Sequence, residues 1–428
     1  MKSRFTLKTI TNAIAATLLV GSATTSFSQL YNEAGAALEE GSIGQELQME
    51  KPSVADSLSS LDLKTRSNPF KFTVSVREGF DDNVNTTRTN RLGSFYTNVA
   101  GGMSYAFGGP RLKLSTNLDG GVALYNNPAV EQVRFNGLWN LAAVYTVSPR
   151  LIINATTNTG YYDEPNVQIA GTNASRQGDY ISSSTTIGAT YQWARRFSTT
   201  TSYNFTALYY TDSVNNDNQG NVQQTLAQAF NFMLWPTTTL VGEYRITPTT
   251  YFKADLDSLA QYFLVGFDHS FSPRSTWNSR IGAQVNFLHN PVDGDTTYIG
   301  PYGETAWTYK YGEKSQAAFT ARYGTEASGL TNVSQRQTFR TGLGVTHAFT
   351  PRLTATAGTY IGVNYYDQAN VESAFFEYVA EATFAFNYQF NRYLSTSCGY
   401  RFIGDLAPQN QSREYNRSVV FLGLNTSF

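Results

Sequence analysis

A tight-turn signature that recurs about every 40 residues constrains this sequence more than any other feature. Four copies place Pro-Arg after Gly, Ser or Thr, at 109–111, 148–150, 272–274 and 350–352. Looser or partial copies fall between them, at Arg195-Arg196, Trp235-Pro236, Gly312-Glu313-Lys314 and Asn391-Arg392. A fixed period of this length indicates one supersecondary unit that is repeated along the chain.

Each period is filled by long segments in which apolar and polar residues alternate. In residues 376–390 the even positions are apolar or aromatic, and the odd positions include Glu377 and Glu381. Alternation with a period of two predicts β-strands, and these segments exceed the usual length of a globular strand. Two long strands, one tight turn and one polar loop in each period predict nine hairpins over residues 69–428.

Long alternating segments that are separated by turns are typical of outer-membrane β-barrels. A closed barrel pairs every backbone polar group, as the interior of a bilayer requires. We therefore predict an all-β fold, a transmembrane antiparallel up-and-down barrel of about 18 strands. A β-solenoid or a large soluble β-protein is the alternative, although neither needs an aromatic residue at each strand end.

Composition argues against several other classes of protein. The chain has 31 basic and 32 acidic residues, so it lacks the basic excess of a nucleic-acid-binding protein. Its one cysteine, Cys398, excludes an internal disulfide and a thiol metal cluster. The alternation places His269, His289 and His347 on the outward face, away from any nucleophile. We predict no enzymatic activity and no metal or other cofactor.

The first 68 residues differ from the rest of the chain. Lys2, Arg4 and Lys8 precede a short apolar stretch and small residues, which is the pattern of a secretory signal peptide over residues 1–28. Residues 29–68 are rich in acidic residues and nearly lack aromatic ones. We expect an exported protein in which this acidic extension is a periplasmic linker, with a plug or a partner arm as alternatives.

The two ends of the predicted barrel are distinguishable. In bacterial barrels the short turns are periplasmic, so the Pro-Arg turns predict the periplasmic end. The polar loops predicted at the outer end are 81–93, 125–132, 163–178, 211–223, 247–257, 289–297, 326–335, 366–373 and 405–414. Aromatic residues just before the tight turns predict a girdle at the periplasmic membrane interface. They are Tyr145, Trp193, Trp235, Phe271, Tyr311, Phe349 and Phe390.

Alternation also separates lipid-facing from lumen-facing side chains. A charge on the lipid face costs about 2–4 kcal/mol at the bilayer midplane, so charged residues inside strands are expected to face water. The predicted lumen-lining residues are Arg77, Arg134, Glu243, Arg245, Arg280, Arg322, Arg340, Glu377, Glu381 and Arg401. Lys71, Lys113, Asp119, Glu304 and Arg417 share their parity. Bases outnumber acids in this set, which predicts a water-filled lumen with a weak preference for anions.

The chain ends at Phe428 inside a predicted strand, with Val420, Leu422 and Leu424 on the same face. A terminal aromatic residue after alternating apolar ones resembles the signal that barrel-assembly machinery reads. The match is partial, because Thr426 stands where that signal often has an aromatic residue. We expect the barrel-assembly machinery and outer-membrane lipid as partners, and the bacterial outer membrane as the location.

One local motif is distinctive: Gly79-Phe80-Asp81-Asp82-Asn83-Val84. Its carboxylate and amide oxygens are of the kind that bind Ca²⁺, but Asp and Asn also cap turns, and we expect a capped turn. A strand with this ending, after a signal peptide and a short acidic lead, resembles the β-barrel porin 2 family over about residues 70–428. The resemblance implies an outer-membrane barrel without catalytic residues. Several members are associated with exopolysaccharide production as export porins, which implies polysaccharide-export components as partners.

The sequence leaves two functions open. The first is a channel for polar solutes or glycans, in which exopolysaccharide export and general diffusion are both tenable, because about 18 strands leave an aqueous bore. The second is a structural or adhesive barrel without an open pore, which would anchor partners through the acidic extension. The sequence shows no recognisable interface between copies, so whether the protein forms a homo-oligomer also stays open.

Overall fold

The computed structural model describes residues 69–162, 179–211, 220–253, 256–289, 294–330, 333–367, 374–408 and 414–428. The strands are β1 Phe70–Asp81, β2 Ser94–Gly108, β3 Leu112–Tyr125, β4 Val133–Ser148, β5 Leu151–Tyr162, β6 Tyr180–Ala194, β7 Phe197–Tyr210, β8 Asn221–Trp235, β9 Thr238–Tyr251, β10 Ser258–Ser272, β11 Ser275–Leu288, β12 Thr296–Gly312, β13 Ser315–Leu330, β14 Val333–Ala348, β15 Leu353–Asp367, β16 Phe375–Gln389, β17 Leu394–Leu406 and β18 Tyr415–Ser427. The predicted signal peptide and acidic extension lie outside the described residues.

All 18 strands belong to one antiparallel sheet, in which each strand pairs with its neighbours in sequence. β1 also pairs with β18, so the sheet closes and leaves no free edge. The predicted up-and-down barrel of about 18 strands is confirmed, and the solenoid alternative is wrong. In the described residues, no helix is long and apolar enough to span a bilayer.

Two of the predicted loops contain strand. β9 continues to Tyr251, which includes the first part of 247–257, and β13 extends to Leu330 and β14 begins at Val333, so most of 326–335 is strand. Residues 247–250 and 327–334 are rich in Thr, Ser, Gly and Asn, which favour turns in local sequence. Cross-strand pairing overrides that preference here, because strand formation depends more on neighbours than on intrinsic propensity.

The tight turns are tied to one another around one end of the barrel. Thr146 on β4 donates its backbone N–H to the carbonyl of Arg111 in the preceding tight turn, at 2.8 Å. Lys310 on β12 makes the same bond to Arg274, also at 2.8 Å. The bond recurs at the carbonyls of Arg150, Arg196, Thr237, Arg352 and Tyr393. Each hairpin is thereby fixed to the next beyond the ends of the strands.

The outer face of the barrel is apolar. Exposed residues on alternate strand positions include Phe95, Ile281, Ile299 and Leu422, each more than 60% exposed. Glu78 on β1 is a carboxylate on this outer face, and it accepts the hydroxyl of Thr97 at 2.9 Å. An apolar surface around a closed sheet is the architecture of an outer-membrane β-barrel.

Polar groups on the outer face of β5–β8 are hydrogen-bonded to each other. Thr159 and Ser183 share a bond of 2.8 Å, and Tyr203 donates to the side-chain carbonyl of Gln224 at 3.0 Å. Such pairing across neighbouring strands satisfies groups that would otherwise be costly in hydrocarbon. These paired polar groups are therefore compatible with an outer surface that faces lipid.

Both ends of the seam between β1 and β18 are closed by specific contacts. At the tight-turn end, Phe428 and Phe72 exchange two backbone hydrogen bonds, of 2.9 and 3.1 Å. At the other end, the buried Arg417 donates to Asp81 at 2.9 and 2.5 Å. Asp82 accepts the backbone N–H of Ser418 at 2.6 Å.

Asn83 is the centre of the motif that the sequence singled out. Its side-chain amide donates to the carbonyls of Thr87 and Asn416, both at 2.7 Å, and its Oδ1 accepts the N–H of Thr87 at 3.0 Å. It is fully buried. The motif therefore forms the expected capped turn, and that turn clamps the first loop onto the last strand.

Replacing Asn83 with alanine is expected to lower the stability of the closed barrel. The change leaves the partly buried carbonyls of Thr87 and Asn416 and the N–H of Thr87 without this partner, and a buried group that loses its partner typically costs about 1–3 kcal/mol. Heat-modifiable gel mobility should show conversion to the unfolded form at a lower temperature. Asn126→Ala, at an exposed loop position, is the matched control and should leave that temperature unchanged. Equal transitions in both variants would contradict a clamping role.

Candidate functional site: the interior wall of the barrel

The interior of the barrel has two chemically distinct walls. The wall of β9–β17 carries most of the interior arginine and glutamate residues, together with buried tyrosines. The wall of β4–β8 is lined mainly by Asn, Ser, Thr and small residues. We call them the charged wall and the neutral wall. Any solute inside the barrel lies between the two.

A row of charges crosses the middle of the charged wall. Arg280, Glu304, Arg322 and Arg340 are successive register partners on β11, β12, β13 and β14. Since directly opposed residues on neighbouring strands point to the same face, all four side chains face the interior. This arrangement needs four strands in exact register, so no local pattern in the sequence displays it.

Two acidic residues hold one side of this row. Glu304 is buried and receives a two-point contact from Arg245, at 2.5 and 3.1 Å, and the hydroxyl of Tyr302 at 2.5 Å. Glu243 accepts from Arg245 and lies 3.7 Å from the guanidinium of Arg280. Paired and hydrogen-bonded in this way, the buried charges are rigid rather than free to follow a passing ion.

Glu326 lies at the centre of the contacts on the other side of the row of charges. Its carboxylate contacts three guanidinium groups: Arg322 at 2.9 Å, Arg336 at 3.2 Å and Arg340 at 2.7 Å. All of these side chains are buried or nearly so. One negative charge thus offsets part of three positive charges, and the cluster retains a positive excess.

The network of charged and polar side chains continues on β15 and β16. Glu377 is fully buried and accepts from the side-chain amide of Asn364 at 2.9 Å and from the hydroxyl of Tyr366 at 3.0 Å. Arg336 in turn donates to Tyr366 at 3.3 Å, which joins this group to the Glu326 cluster. Further along, Arg401 and Glu381 form an ion pair of 3.0 Å.

The barrel wall separates between β12 and β13 toward the outer end. β12 pairs with β13 only as far as Gly303 and Tyr323, although β12 still pairs with β11 up to Thr296. Pro301 lies two residues beyond the last pair, and proline has no N–H to donate to a neighbouring strand. β13 stays paired with β14, and β14 stays paired with β15, so these strands separate from β12 together.

The part of β13 beyond Tyr323 is held against β11, one strand further away. Gln284 accepts the N–H of Thr325 at 3.0 Å through its Oε1, and its amide nitrogen donates to the Thr325 carbonyl. Asn286 donates to the same carbonyl at 3.0 Å. Gln284 and Asn286 are almost fully buried. We call these three hydrogen bonds the Gln284 latch, since they replace the missing β12–β13 pairing.

The neutral wall is satisfied by short polar contacts. Asn204 donates to Thr186 at 2.7 Å, and its Oδ1 accepts from Thr206 at 3.0 Å. Asn231 donates to Thr200 at 2.5 Å. These groups combine donors and acceptors without net charge, so they can exchange hydrogen bonds with water or with a hydroxyl-bearing solute.

The ten predicted lumen-lining residues all lie on the interior face. Of these, Glu243, Arg245, Arg280, Arg322 and Arg340 meet in the row of charges and its neighbours. Arg77 lies 4.6 Å from the Phe421 ring and Arg134 5.2 Å from the Tyr125 ring, both away from this row. That they line a conducting pore stays a prediction.

Sequence reasoning missed several interior groups. Glu326 and Arg336 fell in or beside the predicted loop 326–335, and Asp81 and Asp405 fell at the edges of predicted loops. The available signal was parity: Arg322, Glu326, Arg336 and Arg340 are all even-numbered, on the two sides of one hairpin. The extra acids offset much of the positive bias that the sequence predicted.

The seven predicted girdle residues lie near the tight-turn end. Six of them, among them Trp235 and Phe271 at 60%, are well exposed on the outer face. Tyr311 is the exception, because its hydroxyl donates to the Thr346 carbonyl at 3.1 Å and its ring stacks on His347. No residue of the set points into the lumen.

The three histidines lie away from the interior wall. His269 and His347 occupy equivalent girdle positions and pack edge-on against Phe271 and Phe349. His289 differs, since it pairs with Asp295 at 2.5 Å beside the outer loops. The described residues contain no group of three or more His, Cys, Asp or Glu placed to hold a metal ion.

No protein-family model matches this chain, and no curated protein matches its sequence. The resemblance to the β-barrel porin 2 family therefore stays a prediction. Among solved structures, OccAB4 of Acinetobacter baumannii is similar, with a TM-score of 0.42, 11% identity, and 84% of this chain and 99% of that chain covered. OpdK of Pseudomonas aeruginosa, solved with vanillate, gives a TM-score of 0.45, 9% identity and the same coverages. The siderophore receptor PirA of that organism gives 0.38 and 9%, over 85% of this chain and 81% of that one. At these scores the likeness assigns no family.

Proposed function

We propose that the protein is an outer-membrane channel for polar solutes. The observation that carries the proposal is the contrast between its two faces: an apolar outer surface on a closed 18-stranded sheet, and an interior lined by charged, amide and hydroxyl groups. Barrels of 16–18 strands leave an aqueous channel, and a polar interior keeps it hydrated.

The interior chemistry favours uncharged or weakly anionic solutes. Most interior arginines are paired with carboxylates, so the fixed charge that a passing ion meets is small. The neutral wall offers alternating donors and acceptors, which match a solute that carries many hydroxyls. Glycans belong to this class, and exopolysaccharide export is the finer form of the proposal that the family resemblance adds. Outer-membrane lipid, the barrel-assembly machinery and export components are the partners it implies.

A structural or adhesive barrel without an open pore is the second candidate. Its support is the burial of large interior side chains, with Gln284, Arg336 and Tyr366 at 1% exposure or less. The Gln284 latch adds to this, because it holds the β13 backbone at Thr325 against interior side chains of β11. A barrel filled by its own side chains would conduct poorly.

Single-channel recording of the refolded mature protein in a planar bilayer tests the proposal. We expect steady conductance steps, a weakly anion-selective reversal potential under a salt gradient, and reversible block by added oligosaccharides. Heat-modifiable gel mobility is the control for folding. A folded sample that gives no current would favour the structural barrel, and steps without oligosaccharide block would reject glycans as the solute.

A further inference from the structure

The tight-turn end of the barrel carries a ring of basic side chains, which we call the basic rim. Each described turn at this end except 236–237 contributes at least one base, and Glu313 is the one acid in these turns. All the basic side chains are exposed. The rim consists of Arg111, Arg150, Arg195, Arg196, Arg274, Lys314, Arg352 and Arg392.

The backbone beneath the basic rim is fixed by hydrogen bonds. The backbone carbonyls of five of its arginines accept hydrogen bonds from the next hairpin, as at Arg111 and Arg274. Side-chain caps add to this, since Ser148 accepts the N–H of Arg150 at 3.3 Å and Ser272 that of Arg274 at 3.2 Å. No rim base forms an ion pair with another described residue. The result is a circle of exposed positive charge on a fixed backbone, which the single acid of these turns, Glu313, does not balance.

The opposite end of the barrel has the reverse character. Acids outnumber bases in the described loop residues there, where Asp82, Glu131, Asp179, Asp257, Asp295 and Glu414 face Arg88, Arg91 and Lys253. The basic rim is therefore specific to the tight-turn end. Although the net charge of the chain is −1, the described turns at one end of the barrel are mainly basic and the described loops at the other end are mainly acidic.

The missing counter-charge is present elsewhere in the chain. Residues 29–68 contain three bases, Lys51, Lys64 and Arg66, and seven acids, Glu33, Glu39, Glu40, Glu46, Glu50, Asp56 and Asp62. This segment joins the barrel at the basic rim, because β1 begins at Phe70 and Phe72 pairs with the C-terminal Phe428 at that end.

The segment is long enough to reach any part of the rim. Strands about 4.8 Å apart and tilted by about 40° give an 18-stranded barrel a width of roughly 35 Å. An extended chain of 40 residues spans up to about 130 Å. The tether also keeps the segment at an effective concentration in about the millimolar range, so many weak contacts suffice to hold it.

We propose that the acidic extension, residues 29–68, binds back onto the basic rim, with its carboxylates against the exposed guanidinium groups of the turns. A single exposed ion pair contributes little. Several pairs on a rigid circle, with the partner tethered beside them, act together and depend strongly on salt. The linker interpretation does not give the extension this contact with the barrel.

The test uses the full mature chain with Cys398→Ser and a nitroxide label on Ser57→Cys, refolded in a zwitterionic detergent. At low salt we expect an immobilised electron paramagnetic resonance spectrum. The mobile fraction should rise several-fold at about 1 M salt, where the Debye length falls to about 3 Å. It should rise equally at low salt when Arg111, Arg150, Arg274, Arg352 and Arg392 are replaced by Gln.

Two further variants keep the outcome clear. Replacing the seven extension acids by Asn or Gln leaves the barrel unchanged and should also release the label. Replacing Arg91 and Lys253 by Gln removes bases from the opposite end and should leave the label immobilised. A label that is mobile in the unaltered chain at low salt, or immobile in the rim variant, would overturn the proposal.

Anionic lipid is the competing occupant of the basic rim. We expect the label to stay immobilised in vesicles of phosphatidylcholine and in vesicles that contain phosphatidylglycerol. Release only in the phosphatidylglycerol vesicles would assign the rim to lipid phosphates and overturn the proposal. None of these spectra depends on ion conduction, so failure of the channel proposal would leave this result unaffected.

Discussion

Glu326→Gln is expected to destabilise the barrel and to make its lumen strongly basic. The wild-type carboxylate is shared by Arg322, Arg336 and Arg340, at 2.9, 3.2 and 2.7 Å. The amide keeps the size of the side chain and removes its charge, so three buried guanidinium groups lose their counter-ion. Breaking a buried ion pair by neutralising one partner typically costs about 3–5 kcal/mol.

The same substitution should change ion selectivity. A unit charge about 8 Å from a passing ion contributes about 0.5 kcal/mol in water. Removing the Glu326 charge lowers the energy of a chloride ion in the lumen by that amount and raises the energy of a potassium ion equally. The chloride-to-potassium permeability ratio should therefore rise about fivefold. Reversal potential under a salt gradient measures the ratio, and heat-modifiable mobility measures the stability.

Glu78→Gln is the matched control, because that carboxylate is exposed on the outer face. It should alter neither quantity. If Glu326→Gln left the melting temperature unchanged, the carboxylate would have no structural role in the cluster. If it destabilised the barrel without changing selectivity, the ions would pass elsewhere than along the charged wall.

The strands and turns are predictable from sequence because their signals are local. A Pro-Arg pair ends one strand and starts the next, and alternation over about 15 residues sets which side chains face inward. The irregularities in strand pairing, such as those between Gln192 and Ala194 or between Ser270 and Ser272, lie beside the turns. A bulge inside a strand would have exchanged the two faces, and the ones here leave parity intact along the strand bodies.

The interior contacts are not predictable in the same way. Gln284 and Thr325 are 41 residues apart, and their contact exists only because β13 leaves β12 near Pro301. Asp81 and Arg417 are 336 residues apart and meet because the sheet closes. Alternation predicts the face on which a residue lies, whereas its contacts depend on the strand register and on where two neighbouring strands separate.

Gln284→Leu is expected to release the Thr325 segment of β13 from β11. The change removes the acceptor for the Thr325 N–H and one donor to its carbonyl, and leaves the hydrogen bond from Asn286 between this backbone and β11. Each buried backbone group that loses its partner costs about 1–3 kcal/mol, so a loss of about 2 kcal/mol would raise the population of the released segment roughly 30-fold.

Thiol labelling measures this release directly. In a Cys398→Ser background, Thr325→Cys places a small thiol at a position that is 1% exposed. The side-chain Oγ1 of Thr325 has no hydrogen-bond partner among the described residues, so the change should leave the Gln284 latch intact. We expect slow labelling of this chain and labelling about 30-fold faster once Gln284→Leu is added, in proportion to the released population.

Gln261→Leu is the matched control, because Gln261 bonds to Tyr244 on the outer face of the neighbouring strand, at 3.2 Å. It removes the same amide without touching the latch, and labelling should stay slow. Equal labelling rates with and without Gln284→Leu would show that other contacts hold this segment of β13. If its release also raised the single-channel conductance, the latch would be a constriction of the pore, because the backbone it holds would have moved out of the path of ions.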